Sequence, residues 1–250
     1  MDVKAERVNP YRDDTRCKTE QVRDMFDSIA PAYDFMNRMM TFGIDRLWRR
    51  KAVRMLAARP HADILDVATG TGDLALLLAR SLRPATVTGI DLSEGMLEVA
   101  RRKAAADSGA TDSGTKMTFL TADCLHLPMA EGTYDTVTAA YGVRNFEHLL
   151  QGYREMYRVL RPGGTLCVIE LSTPTSPLVK PLYRFYTRHI IPLAGRIVSR
   201  DVRAYSYLPE SIAAVPQGEA MLALMREAGF SDTEHHPLTF GVCTIYLARK

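Results

Sequence analysis

The order of apolar and polar segments predicts an α/β fold: a mostly parallel sheet of seven strands, covered by helices and closed by a C-terminal antiparallel hairpin, behind an N-terminal helical lid. Three observations predict it. Apolar strands at 62–67, 86–91, 116–121, 134–140 and 164–171 are linked mainly by helical patterns at 73–82, 93–105 and 148–160, the rhythm of parallel strands with right-handed crossovers. Ile64-Leu65-Asp66-Val67 runs into Ala68-Thr69-Gly70-Thr71-Gly72 and then a helix, while the next strand ends on Asp91. The chain closes with strands near 231–239 and 242–249, separated only by Phe240-Gly241, a hairpin at the sheet edge.

Taken in order, residues 1–20 are polar and aperiodic and read as a loose tail. From Gln21 to Ala58 the apolar positions, among them Met25, Phe26, Ile29, Met36, Trp48 and Leu56, recur at helical spacing, and Pro31 and Gly43 divide them into two or three lid helices. Residues 106–115 are small and polar and read as a mobile loop. Residues 172–208 interrupt the strand-helix rhythm as an insertion, after which helices near 209–214 and 217–228 resume it. With no long Pro/Gly/Ser linker, residues 1–250 read as one domain.

Composition narrows the function. A net charge of +3 over 250 residues is too mild to imply nucleic acid. Cys17, Cys124, Cys167 and Cys243 stand far apart with no metal-ligand spacing, which suggests reduced thiols and no metal. Nothing resembles a signal peptide or a run of about 18 apolar residues, so the expected location is cytoplasmic.

The glycine loop lets backbone N–H groups approach an anionic group. Gly70-Thr71-Gly72-Asp73-Leu74-Ala75 also satisfies the dinucleotide fingerprint, with Asp91 at about the expected distance, so a nicotinamide cofactor competes. Three features favour S-adenosylmethionine. Beside Asp91, which suits a ribose diol in either cofactor, Asp66 stands at the strand end where a buried acid orients the loop, and Asp123 of Ala122-Asp123-Cys124 suits an adenine amino group at a third strand end. Arg161-Pro162-Gly163-Gly164 then turns from helix into a strand carrying Glu170, as in class I S-adenosylmethionine-dependent methyltransferases, a Rossmann-like class.

A more specific set is Phe26-Asp27-Ser28-Ile29-Ala30-Pro31-Ala32-Tyr33-Asp34-Phe35-Met36-Asn37, with Tyr141-Gly142-Val143-Arg144-Asn145-Phe146 and Tyr207-Leu208-Pro209-Glu210-Ser211. With these motifs the chain, over about residues 20–250, closely resembles the ubiquinone/menaquinone biosynthesis C-methyltransferase family. The resemblance implies methylation of a ring carbon of a demethylated isoprenoid quinol, demethylmenaquinol in preference to the benzoquinol precursor of ubiquinone. It implies cofactor contacts from Thr71, Asp91, Asp123 and Cys124. Ala140 departs from the serine common at that position in the family, leaving only its backbone carbonyl for the cofactor.

Methylating a carbon requires a nucleophilic ring, which a quinol becomes on losing a hydroxyl proton. Phenols titrate near 10, so stabilising the anion at neutrality takes roughly 4 kcal/mol. Arg144, always cationic, is the expected stabiliser, with Asn145 fixing it or the quinol oxygen; an ion pair between Arg144 and a strand-end acid is the competing expectation. Tyr33, Asn37 and Tyr141 are expected substrate contacts on or under the lid. His148 competes as a general base but is more simply an exposed residue in the first turn of its helix.

Residues 177–203 interleave Lys180, Arg184, Arg188, Arg196, Arg200 and Arg203 with Leu182, Tyr183, Phe185, Ile190, Ile197 and other apolar side chains. Such a segment cannot span a bilayer but suits an anionic membrane surface, which predicts peripheral attachment on the inner face of the cell membrane. A homodimer surface is the competing expectation.

Overall fold

In the computed structural model, residues 3–11, 13–190 and 202–250 are described. Lid helices α1 (Lys18–Ile29), α2 (Tyr33–Thr41) and α3 (Asp45–Leu56) precede the sheet. The chain reverses after α2 through Phe42 and Gly43, both in the left-handed region. There follow β1 (Asp63–Val67), α4 (Asp73–Leu82), β2 (Thr86–Asp91), α5 (Glu94–Ala106), a short α6 (Ser108–Thr111), β3 (Lys116–Thr121) and β4 (Tyr134–Ala140). Then come α7 (Leu149–Val159), β5 (Leu160–Leu171), α8 (Val179–Phe185), α9 (Val202–Ala214), α10 (Glu219–Glu227), β6 (Ser231–Leu238) and β7 (Cys243–Arg249).

The seven strands lie in the order β3-β2-β1-β4-β5-β7-β6, with β7 antiparallel to both its neighbours. Leu65, Val67, Val137, Tyr153 and Met225 belong to one buried cluster, and Ile64, Leu78, Val87, Leu97 and Ile245 to another. Alternate residues of β1 thus fill separate cores, as a strand covered on both faces must. A third cluster, with Met25, Ile29, Met36, Met96 and Tyr207, fastens the lid to α5 and α9. The lid is therefore held by apolar packing of its own.

Four expectations are corrected. Residues 3–11 are not a loose tail: Val3 and Ala5 are buried, and Glu6 accepts the Leu149 N–H at 2.8 Å. Lys18, also buried, donates to the carbonyls of Ala5, Arg144 and Phe146, tying this segment to the loop after β4. The polar stretch 106–115 contains α6, capped by Asp107 and anchored by buried Ala110. β5 begins at Leu160, ahead of the glycine turn, with a register break opposite Tyr134 and Thr136. The helix expected near 209–214 begins at Val202 and carries Pro209 inside it.

Candidate active site

The functional end of the sheet is where β1, β2 and β4 run out. Ala68 has φ of 51° and Gly70 of 55°, so the chain turns sharply off β1. Gly142 must be glycine, because a Cβ there would lie 2.5 Å from that of Ala68. Below the loop, buried Asp66 accepts the hydroxyls of Thr69 and Thr138, both at 2.6 Å. At the end of β2, Asp91 accepts the N–H groups of Gly70 at 2.8 Å and Ser93 at 3.0 Å. Its pKa is raised by burial, which those backbone donors oppose.

Gly70, Asp91, Asp123, Cys124, Tyr33, Tyr141 and Asn145 line one cavity over these strand ends. Burial pushes the Cys124 thiol well above its usual range, so it serves as a neutral wall. The set fits S-adenosylmethionine. Two carboxylates supply acceptors for hydroxyl and amino hydrogens, Leu92 and Leu125 supply apolar wall, and the space where a Gly70 side chain would stand is open. Val22 and Phe26 of α1 close the cavity to about 60 Å³, far below the several hundred that a nucleoside-sized ligand occupies, so the lid must shift to admit one.

A larger cavity of about 520 Å³ meets the first at Tyr33 and Tyr141. Its walls are mostly apolar and aromatic, with Trp48, Leu182, Tyr183, Phe185, Tyr186 and Phe240 among them, and it carries two cations, Arg49 and Arg144. Arg144 is 6% exposed, and its Nη1 donates to Glu170 at 2.9 Å and to the Tyr141 carbonyl. Burial opposes its charge, but the Glu170 carboxylate overrides this and raises its pKa further. Its Nε is buried with no partner among the described residues, as is the Tyr141 hydroxyl. Tyr141 itself is held at φ of 61° beneath the Arg49 guanidinium, 5.2 Å from its ring centre. Strain and orphaned donors at a cavity wall mark a place shaped for a ligand. Asn145 accepts the Tyr207 hydroxyl at 3.1 Å and faces the first cavity and a small neighbouring pocket.

Asn37 lines the larger cavity. Three expected cofactor contacts are placed elsewhere. Asp66 acts through Thr69, Gly72 abuts Ala100 because any Cβ there would come within 3.0 Å, and Thr71 turns outward to the lid. His148 is exposed and lines neither cavity. Sequence reasoning missed Thr19 and Val22 as walls of this cavity, because nothing in their spacing relates α1 to strand ends dozens of residues later, and missed Glu147, which follows the Arg144-Asn145-Phe146 motif with no pattern of its own. Tyr183 stood in the sequence as a match to the family and an aromatic among bases, with no site role attached to it.

Thr71 donates to Asp34 Oδ1 at 2.6 Å, while Lys103 reaches Asp34 Oδ2 at 2.8 Å and also Asp73. This latch pins α2 to the glycine loop. Asp34→Ala is expected to weaken S-adenosylmethionine binding about tenfold, the worth of one or two charge-assisted bonds, and to speed its release. Stopped-flow displacement checks it; unchanged release would show that the latch does not hold the lid.

Desolvation lifts the Asp66 pKa to about 6, against the two threonine hydroxyls. The folded protein thus binds this proton more tightly than the unfolded chain, whose value is 3.8. Asp66 therefore favours folding below the unfolded value, and that support is lost as pH rises through 6, a change of roughly 3 kcal/mol. Urea denaturation at pH 4 and pH 7 should show this difference shrinking in Asp66→Asn; an equal difference in both proteins would remove Asp66 as its source.

A glycine loop, acidic strand ends and a sheet closed by one antiparallel strand define a class I S-adenosylmethionine-dependent methyltransferase. The chain belongs to the ubiE/COQ5 methyltransferase family, whose model it matches over residues 14–250. It is 45% identical over 250 residues to the demethylmenaquinone methyltransferase of Bacteroides fragilis, covering 100% of each chain. To the ubiquinone/menaquinone biosynthesis C-methyltransferase UbiE of Geobacter sulfurreducens it is 44% identical, covering 100% of this chain and 95% of that one. Solved structures similar in fold include an S-adenosylmethionine-dependent methyltransferase of Aquifex aeolicus (TM-score 0.56, 17% identity, 80% of this chain and 88% of that one). Another is the [4+2]-cyclase SpnF (TM-score 0.56, 21% identity, 93% and 96%). The family removes the nicotinamide alternative, and the cyclase shows that chemistry must be argued from the site.

Proposed function

We propose that this enzyme methylates a ring carbon of demethylmenaquinol, yielding menaquinol late in menaquinone biosynthesis. The observation that carries this reading is the large aromatic cavity that meets the cofactor cavity at Tyr33 and Tyr141 and holds Arg144 on its wall. S-adenosylmethionine supplies an electrophilic methyl group. The chain's own part is to exclude water, align the ring and stabilise its anion. Two unit charges about 4 Å apart interact by roughly 4 kcal/mol at the effective dielectric of a protein site, an amount Glu170 reduces by its own charge, so Arg144 supplies part of what ionising a phenol at neutrality needs and the orphaned Nε supplies a directed hydrogen bond. Both oxygens of Asp45, the carboxylate on this cavity, are engaged, one by Thr41 and one by Arg49. The arrangement thus favours anion stabilisation by Arg144, with the quinol proton leaving to solvent before the lid closes over the ring.

The benzoquinol precursor of ubiquinone is the second reading, favoured by the name of the Geobacter relative. The test is transfer of labelled methyl from S-adenosylmethionine to short-chain demethylmenaquinol and to the matching benzoquinol, under reducing conditions. Label on the naphthoquinol ring carbon supports the first reading, and a faster benzoquinol reaction supports the second. No transfer to either, with cofactor bound, would send the substrate search elsewhere.

Leu178, Leu182, Phe185 and Ile190 are exposed beside Lys180, Arg184 and Arg188, and Phe42 and Phe240 are exposed on the cavity wall. These side chains support peripheral attachment at an anionic membrane, from which a polyprenyl tail would enter. The rest of that segment, including Leu193, Arg196, Ile197 and Arg200, lies outside the described residues. Among the described residues no helix is long and apolar enough to cross a membrane. Flotation with anionic vesicles tests the attachment, which salt-insensitive or absent binding would overturn. A homodimer through the same face predicts instead a doubled mass in solution.

A further inference from the structure

A polar cleft of about 590 Å³ opens between α2, α3, α4 and the end of α5, on the far side of the Lys103 latch from the cofactor cavity, and Arg38, Arg46 and Arg50 on its wall have no place in the reaction described above. Six cations line it against two carboxylates, Asp73 and Asp107. Three of the six are matched: Arg49 by Asp45, Arg80 by Asp107 at 2.6 Å, and Lys103 by Asp34 and Asp73. The other three, Arg38, Arg46 and Arg50, are exposed and make no ion pair among the described residues.

Two of these three are placed against their own helix. Arg46 stands in the first turn of α3, where the helix dipole disfavours a cation, and Arg50 stands one turn further on, where it repels Arg46 across the same face. Arg38, at the end of α2, brings a third positive charge to the same cleft. Like charges gathered at a concave site, at a cost to the helix that carries them, are relieved by an anion. Guanidinium forks match phosphate oxygens, and three unmatched charges suit a multiply charged group better than a lone carboxylate.

We propose that this cleft is a binding site for a phosphate group, gripped by Arg38, Arg46 and Arg50. The same chemistry is offered by a phospholipid headgroup and by a soluble phosphate ester. The proposal does not depend on the quinol reading, because its readouts contain no methyl acceptor.

The test uses the full chain, the double variant Arg46→Gln/Arg50→Gln and the reversal Arg50→Glu. Inorganic pyrophosphate is titrated calorimetrically, and sedimentation is measured with phosphatidylglycerol-containing vesicles and with vesicles of phosphatidylcholine alone. Saturable pyrophosphate binding that weakens at least about tenfold in the double variant, and further in Arg50→Glu, supports the site with a soluble ligand. Sedimentation with phosphatidylglycerol that weakens at least about tenfold in both variants, which keep the apolar and basic face at residues 178–190, without pyrophosphate binding, supports the site with a lipid source. Both variants replace exposed side chains, and an unchanged melting temperature confirms that they fold. Binding of both probes unaffected by the variants, or absent from the wild type, overturns the proposal.

Discussion

Arg144→Ala is expected to lower methyl transfer about 10²–10³-fold while leaving S-adenosylmethionine affinity within about threefold, as removal of one well-placed donor to a developing anion does. The structure adds a second consequence. Glu170 is 1% exposed and pairs with Arg144 Nη1, so the truncated protein is left with an uncompensated buried carboxylate, at a cost of about 3–5 kcal/mol of stability. A loss of activity alone would confuse the two effects. Arg144→Gln/Glu170→Gln removes both charges and should recover most of the stability without recovering turnover. The pH profile gives a third readout. With Arg144 present the quinol ionises near neutrality and the rate levels off above it, whereas in the double variant the rate should keep rising toward the ordinary phenol value near 10. Recovery of turnover in the double variant, with an unaltered pH profile, would reduce Arg144 to the partner of Glu170.

That ion pair was legible in outline, since Glu170 sits at a strand end and Arg144 follows another. The sheet was readable because short strands with apolar residues at their centres alternate with helical patterns across short crossovers; β2, β3 and β4 have the bounds their residues suggested. Strand-end acids were readable for a related reason, since in such sheets the ends converge on one crevice. What escaped the sequence depends on contacts distant along the chain. Thr71 looks like part of the glycine loop, yet its hydroxyl is taken by Asp34, 37 residues earlier. Lys18 looks like a surface residue before a helix, yet it is buried against carbonyls more than 120 residues away, and desolvation lowers its pKa to about 8. The segment 3–11 has no period to read because it forms a single short turn and is held by polar bonds to a distant loop. Local spacing cannot report such partners, and the lid's closure rests on several of them.

Asp91→Ala should have the converse effect to Arg144→Ala, weakening cofactor binding first. Its carboxylate accepts the N–H groups of Gly70 and Ser93, one on each oxygen, with the Leu92 N–H also directed at it, and of about four lone-pair sites at least one remains for a further donor. The hydroxyls of a ribose take up that remaining capacity. Losing their bonds to a charged acceptor costs about 3–4 kcal/mol, or about 10²–10³-fold in affinity. The variant also strands two loop N–H groups, so some of the loss comes from a loop that no longer holds its turn. Asp91→Asn separates these parts. It keeps one acceptor oxygen for the loop but turns an NH₂ toward the other N–H, and should bind about tenfold more weakly than wild type, between the two extremes. At saturating cofactor both variants should turn over within about threefold of wild type, because Asp91 stabilises no charge that develops during transfer. Calorimetric titration with S-adenosylmethionine, beside initial rates at saturation, measures both quantities. Wild-type affinity in Asp91→Ala would move ribose recognition to another group, and a collapse of the saturated rate would mean that the loop positions the methyl donor as well as binding it.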